Sequence, residues 1–183
     1  MIQNRGYTLL TAAFALSVAT LALPLTARAQ SACGAPTPGD SEGPFYKAGA
    51  PVRANLAEAD STAEKMVLTG RVLSADCHPV ANASLDFWQV NDKGEYDSAG
   101  YRYRGVVITD DLGRYKLETN LPPPYSGEPR HIHVKVQRIG APALTTQLYF
   151  PGESHDAPRA LVMKMQRRPE GRTASFDFVL AGP

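Results

Sequence analysis

An all-β sandwich is the architecture this chain predicts, and three observations carry the prediction. Apolar and polar residues alternate with period two in short runs, as where Ala83, Leu85 and Phe87 interleave with Ser84, Asp86 and Trp88. That is the pattern of a half-buried strand. Turn-forming clusters recur between such runs, and 15 glycines with 15 prolines among 183 residues favour many turns over long helices. A composition of 43% hydrophobic and 20% charged residues is that of an ordinary globular chain with enough apolar material for one core.

The elements follow in order. Residues 1–29 read as a signal peptide: Arg5 gives a positive start, the apolar run Leu9 to Leu25 follows, and Ala27-Arg28-Ala29 has the small-x-small form of a cleavage site before Gln30. A bilayer span is disfavoured, because the run is short and broken by Pro24. The protein is therefore expected to be exported, to the periplasm or beyond, with no membrane association once the leader is removed. Residues 30–65 form an N-terminal arm rich in Pro, Gly and Ala, without periodicity.

Residues 66–183 are the sandwich. Strands are predicted at Met66–Ala75, Ala83–Val90, Gly105–Thr109, Gly113–Thr119, His131–Ile139, Ala143–Phe150 and Ala174–Leu180, with one short helix over Ala157–Met165. Turns are signalled at Asp76-Cys77-His78-Pro79, Asp92-Lys93-Gly94, Asp110 to Gly113 and Pro122-Pro123-Pro124. Short strands at this spacing suit an antiparallel, Greek-key sandwich of immunoglobulin or transthyretin-like form with long loops.

Charge and cysteine count exclude several functions. Lys plus Arg is 19 and Asp plus Glu is 18, and the first 29 residues hold two of the bases and none of the acids. The remainder is close to neutral, which argues against a nucleic-acid binder. Two cysteines cannot build a cysteine-rich zinc site. In an oxidising compartment an even pair suggests a disulfide, Cys33 to Cys77, tying the arm to the loop after the first strand.

The candidate chemistry lies in histidine and tyrosine. His131 and His133 flank Ile132 in a predicted strand, so their side chains share a face and suit two adjacent ligands of one metal. Residues 134–150 hold neither Glu nor His to complete a cupin-like site, and four histidines are too few for a copper-zinc sandwich site. A carboxylate from another loop remains open as a third ligand. So does tyrosine: Tyr96 follows a glycine turn, and Tyr125 stands six residues before His131. A phenol ionises near pH 10, so a tyrosinate at neutral pH needs a strong cation such as ferric iron.

The ordered motifs resemble the intradiol ring-cleavage dioxygenases, the family of catechol and protocatechuate dioxygenases. They are Glu42-Gly-Pro-Phe-Tyr46, Leu68-Thr-Gly-Arg-Val72, Pro79-Val80, Trp88-Gln89 and Gly94-Glu95-Tyr96. Arg104-Gly105, Thr109-Asp110, Gly113-Arg-Tyr115, Leu121-Pro122 through Tyr125, His131-Ile-His133 and Thr145-Thr-Gln147 complete the set. The resemblance implies Fe(III) held by Tyr96, Tyr125, His131 and His133, with Tyr125 yielding its place to a catechol. Gln147 and Trp88 would line the ring pocket. The implied partners are a small aromatic diol and O2, the implied product is a cis,cis-muconate, and self-association into a homo-oligomer is left open.

Glu128 departs from the family's pattern, which carries an arginine three residues before the first histidine of the pair. Arg130 is the candidate replacement, although neighbouring strand residues face opposite ways. The competing reading is an exported, non-catalytic module like the transthyretin-like regulatory domains of carboxypeptidases, which share the texture of residues 70–115. Such a module has no need of Tyr125, His131 and His133 beside Tyr96.

Overall fold

The computed structural model describes Met1, residues 33–152 and residues 157–182. The predicted leader beyond Met1, its cleavage site and His155 lie outside the described residues. Among the described residues the strands are β1 (Lys65–Leu73), β2 (Ser84–Trp88), β3 (Arg104–Ile108), β4 (Arg114–Asn120) and β5 (His131–Gln137). They continue as β6 (Leu144–Tyr149), β7 (Lys164–Arg168), β8 (Gly171–Ser175) and β9 (Phe178–Val179). One sheet runs β3-β2-β5-β6; the other runs β4-β1-β8-β7, with β9 also pairing with β1. No helix among the described residues is long and apolar enough to cross a membrane.

Strict alternation divides each strand of the first sheet between two environments. Leu85 and Phe87 of β2, Ile132, Val134 and Val136 of β5 and Leu148 of β6 are fully buried and meet Met66, Leu68, Val72, Leu117 and Phe178 of the second sheet. The opposite face carries Arg104, Trp88, His133 and Gln147 in one register row across β3, β2, β5 and β6. His131 and Tyr149 face each other in the next row. A single period-two pattern thus supplies an apolar core and a polar outer face.

The arm covers that outer face. Asp40 N donates to Thr145 O, Arg53 N to Val106 O and Leu56 N to Glu118 O, so the arm is bound at several points along its length. Cys33 is joined to Cys77 in the turn after β1, with the Cα atoms 5.5 Å apart.

Three local expectations are corrected. The segment Ala157–Met165 is not a helix: only Arg159–Leu161 makes a 3-10 turn, and the chain then enters β7. β7 escapes sequence reading because KMQRR lies on an exposed sheet edge and lacks an apolar stripe. The single strand predicted over Ala174–Leu180 is two strands, β8 and β9. The break has a cause: at Gly70 a Cβ would lie 1.7 Å from Phe176 O, and Asp177 Oδ1 takes the Arg71 N–H at 2.8 Å in place of a backbone acceptor. Both segments also run parallel to β1, whereas the other named strand pairs, β1 with β4 included, are antiparallel.

Candidate metal centre

Two imidazoles and a phenol meet on the outer face. Tyr96 Oη lies 2.9 Å from His133 Nε2 and 3.3 Å from His131 Nε2, and the two nitrogens are 3.1 Å apart. Donors bound at right angles to one ion, each about 2.1 Å from it, stand about 3 Å from one another. The spacing therefore suits three adjacent ligands of a single metal.

Each donor is aimed by its surroundings. His131 Nδ1 lies 2.7 Å from Pro129 O, and a carbonyl only accepts, so this nitrogen carries the proton and Nε2 presents a lone pair to the site. His133 is wedged against Trp88, the rings 4.8 Å apart and within 3° of parallel. Its Nδ1 is buried beside the Ser41 backbone without a well-formed hydrogen bond among the described residues. Burial first, and then the neighbouring His131, pull the His133 pKa down to about 3, so the ring is neutral and able to ligate at physiological pH. Phe45 stacks on Tyr96 at 4.5 Å and 14°.

Tyr125 borders the cluster on the loop before β5. Its ring stands edge-on to Tyr96, the centroids 5.3 Å apart, and edge-on to Phe45 at 5.7 Å. A tight turn holds it: Ser126 and Gly127 take φ of 47° and 83°, and Glu128 N donates to Tyr125 O at 2.7 Å. Two successive positive φ values define a type I′ turn, which glycine adopts without strain. The turn also brings Glu128 Oε2 to 3.7 Å from His131 Nε2.

The field at Tyr96 has a clear sign. Burial raises its pKa above that of a free phenol, Glu128 and Tyr125 raise it further, and Arg104 opposes them. Without a cation Tyr96 remains a neutral phenol, and a strongly polarising ion is what would ionise it. Among the described residues no three His, Cys, Asp or Glu side chains form a metal-binding group by themselves. The neighbouring phenols are further donors within reach, and hard phenolate oxygens beside imidazole would suit ferric iron.

The remaining candidates separate. Gln147 is buried opposite His133 and donates from Nε2 to Ser41 O at 3.0 Å, holding the arm instead of opening into the site. The Arg130 guanidinium lies over Phe150, 5.9 Å from the ring centroid. His78 is exposed and pairs with Asp76 at 2.8 Å. Sequence reasoning did not place Phe45, Gly43 or Arg104 at the site. A Cβ on Gly43 would lie 3.5 Å from His133 Cε1, so the arm passes directly over the imidazole. Arg104, buried at 2% exposure, donates from Nε to Asp97 O. The signal for Phe45 was its place in the Glu42–Tyr46 motif, but no local pattern says what that motif folds against.

A sandwich with paired histidines and tyrosines on the outer face of one sheet defines a class, and comparison with known proteins agrees with it. A family profile described as Dioxygenase matches residues 41–182. This chain belongs to the intradiol ring-cleavage dioxygenase family. It is 32% identical over 136 residues to a chlorocatechol 1,2-dioxygenase of a Pseudomonas species, covering 61% of this chain and 54% of the relative. It is 31% identical over 148 residues to the catechol 1,2-dioxygenase of Acinetobacter baylyi, covering 65% and 48%. The chain spans about half the length of these curated relatives.

Among solved structures, the dioxygenase domain of a dioxygenase–carbohydrate-binding fusion protein from Streptomyces sp. SirexAA-E superposes with a TM-score of 0.78 at 41% identity. The match covers 81% of this chain and 100% of that one. Catechol 1,2-dioxygenase from Pseudomonas arvilla gives a TM-score of 0.71 at 28% identity, over 80% of this chain and 62% of that one.

Proposed function

We propose that the protein is a ferric-iron-dependent intradiol dioxygenase that uses O2 to open the ring of a catechol-type diol. The observation that carries this reading is the mutual approach of Tyr96 Oη, His131 Nε2 and His133 Nε2 within 2.9 to 3.3 Å. Tyr96, Tyr125, His131 and His133 would hold the ion. Bound there, ferric iron supplies the Lewis acidity that lets a catechol bind through both oxygens and makes its ring reactive towards O2.

The chain's own contribution is positioning and proton handling. Pro129 O and the Trp88 ring fix the two imidazoles, so little reorganisation is needed when substrate arrives. Tyr125 is half-buried on a turn instead of inside a strand, so its side chain can swing away without breaking a ladder. With ferric iron bound, Tyr125 Oη would be placed to take up a proton from an incoming diol. Phe45 and the Glu42–Tyr46 segment screen one side of the cluster from water. The Cys33–Cys77 bridge fits an oxidising compartment, and export through the leader is proposed on that basis.

The experiment is to purify the protein with iron and record its visible spectrum and its activity on catechol. A tyrosinate-to-iron charge-transfer band, altered by Tyr125→Phe and lost with Tyr96→Phe, is the expected result. Colourless protein without turnover after iron loading would return the binding-module reading.

A further inference from the structure

The inference concerns Glu128, and it rests on the catechol reading above. Its carboxylate is held by the Tyr125–Glu128 turn, 3.7 Å from His131 Nε2, while its side chain stays 56% exposed. Half-exposure sets it at the rim of the donor cluster, where one side of the site meets solvent. Its Oε2 faces the Nε2 edge of the His131 ring. Its field reaches into the site: it raises the pKa of both Tyr96 and Tyr149.

Two nearby cations are turned to other partners. Lys135 is engaged by Glu42 at 2.5 Å, and Arg104 is buried and turned to the Asp97 carbonyl. Asp40, which accepts from Tyr149 Oη at 2.9 Å, adds a second acid on the same side.

We propose that Glu128 selects the charge of the substrate's ring substituent: it disfavours catechols that bear a carboxylate and favours those with a neutral or cationic arm. A substituent charge roughly 6 Å from the carboxylate, at a dielectric between those of protein surface and water, changes binding about tenfold. The preference is electrostatic, so added salt weakens it.

The test is anaerobic titration of the iron-loaded protein, which reads binding without turnover, using catechol, protocatechuate and dopamine. Calorimetry gives the affinities, each taken relative to catechol for the same protein. The expected result is protocatechuate bound about tenfold more weakly than catechol, and dopamine at least as tightly. Glu128→Gln should bring the three together, Glu128→Arg should reverse their order, and high salt should compress the spread in the wild type. If Glu128→Gln leaves the ratios unchanged while catechol binds, charge selection is overturned and the dioxygenase reading stands. If catechol does not bind the wild type, both are overturned.

Discussion

Trp88 and His133 face each other across β2 and β5 in direct register, and their rings stack 4.8 Å apart. The indole is thus a plate that sets the plane of one imidazole. Partners that orient a ligand commonly hold 10- to 100-fold of metal affinity. Trp88→Phe should keep a plate and most of the bound iron, whereas Trp88→Leu should lose about tenfold in iron affinity. Iron retained per chain after dialysis against a chelator checks both variants. Equal retention would reduce Trp88 to ordinary packing.

The disulfide closes a separation of 44 residues. Chain-entropy reasoning gives such a loop about 4 kcal/mol of stabilisation through the unfolded state. The double replacement Cys33→Ser and Cys77→Ser should lower the unfolding free energy by about that amount, measured by urea titration. Reductant should destabilise the wild type to the same extent and leave the double variant unmoved.

Phe45 reaches the site from the arm, 51 residues away in sequence from Tyr96 and stacked on it. An aromatic pair of this kind contributes about 1 kcal/mol. Phe45→Ala should therefore cost about that much stability, yet lower kcat/KM for catechol roughly tenfold, because Tyr96 loses its support. A shift of the iron charge-transfer band in the folded variant separates this role from simple packing, which would leave the band in place.

These contacts show what was legible in the sequence. Alternation at residues 83–88 placed the core face of β2, and the His131–His133 spacing put both imidazoles on one side of β5, because strand geometry is local. The folding of residues 42–46 over His133 was not legible, since it joins segments with no shared periodicity. β7 was missed for a different reason: at a sheet edge only Met165 is partly buried, so no apolar stripe is required. The break between β8 and β9 depends on Phe176 O lying against Gly70, a contact that no window around either residue contains.

Asp86 offers a test of the layer beneath the site. It shares the outer face with Lys135, directly opposite on β5, and accepts from Tyr46 Oη at 3.1 Å. Burial raises its pKa above the ordinary carboxylate value, against the lowering pull of Tyr46, Lys135 and Arg104. The Tyr46 phenol, pushed up to about 12, stays a donor throughout. A native carboxyl that holds its proton at higher pH than the unfolded one binds more protons in the folded state, so stability falls as pH rises through that window. The window opens at about pH 4, the unfolded value, and closes above the raised native one. Asp86→Asn keeps an acceptor for Tyr46 but cannot titrate. The stability of the wild type relative to this variant should therefore decline from pH 4 towards 7, read as the difference in urea midpoints. A difference that grows with pH would mean that Lys135 and Arg104 outweigh burial and hold Asp86 as the anion.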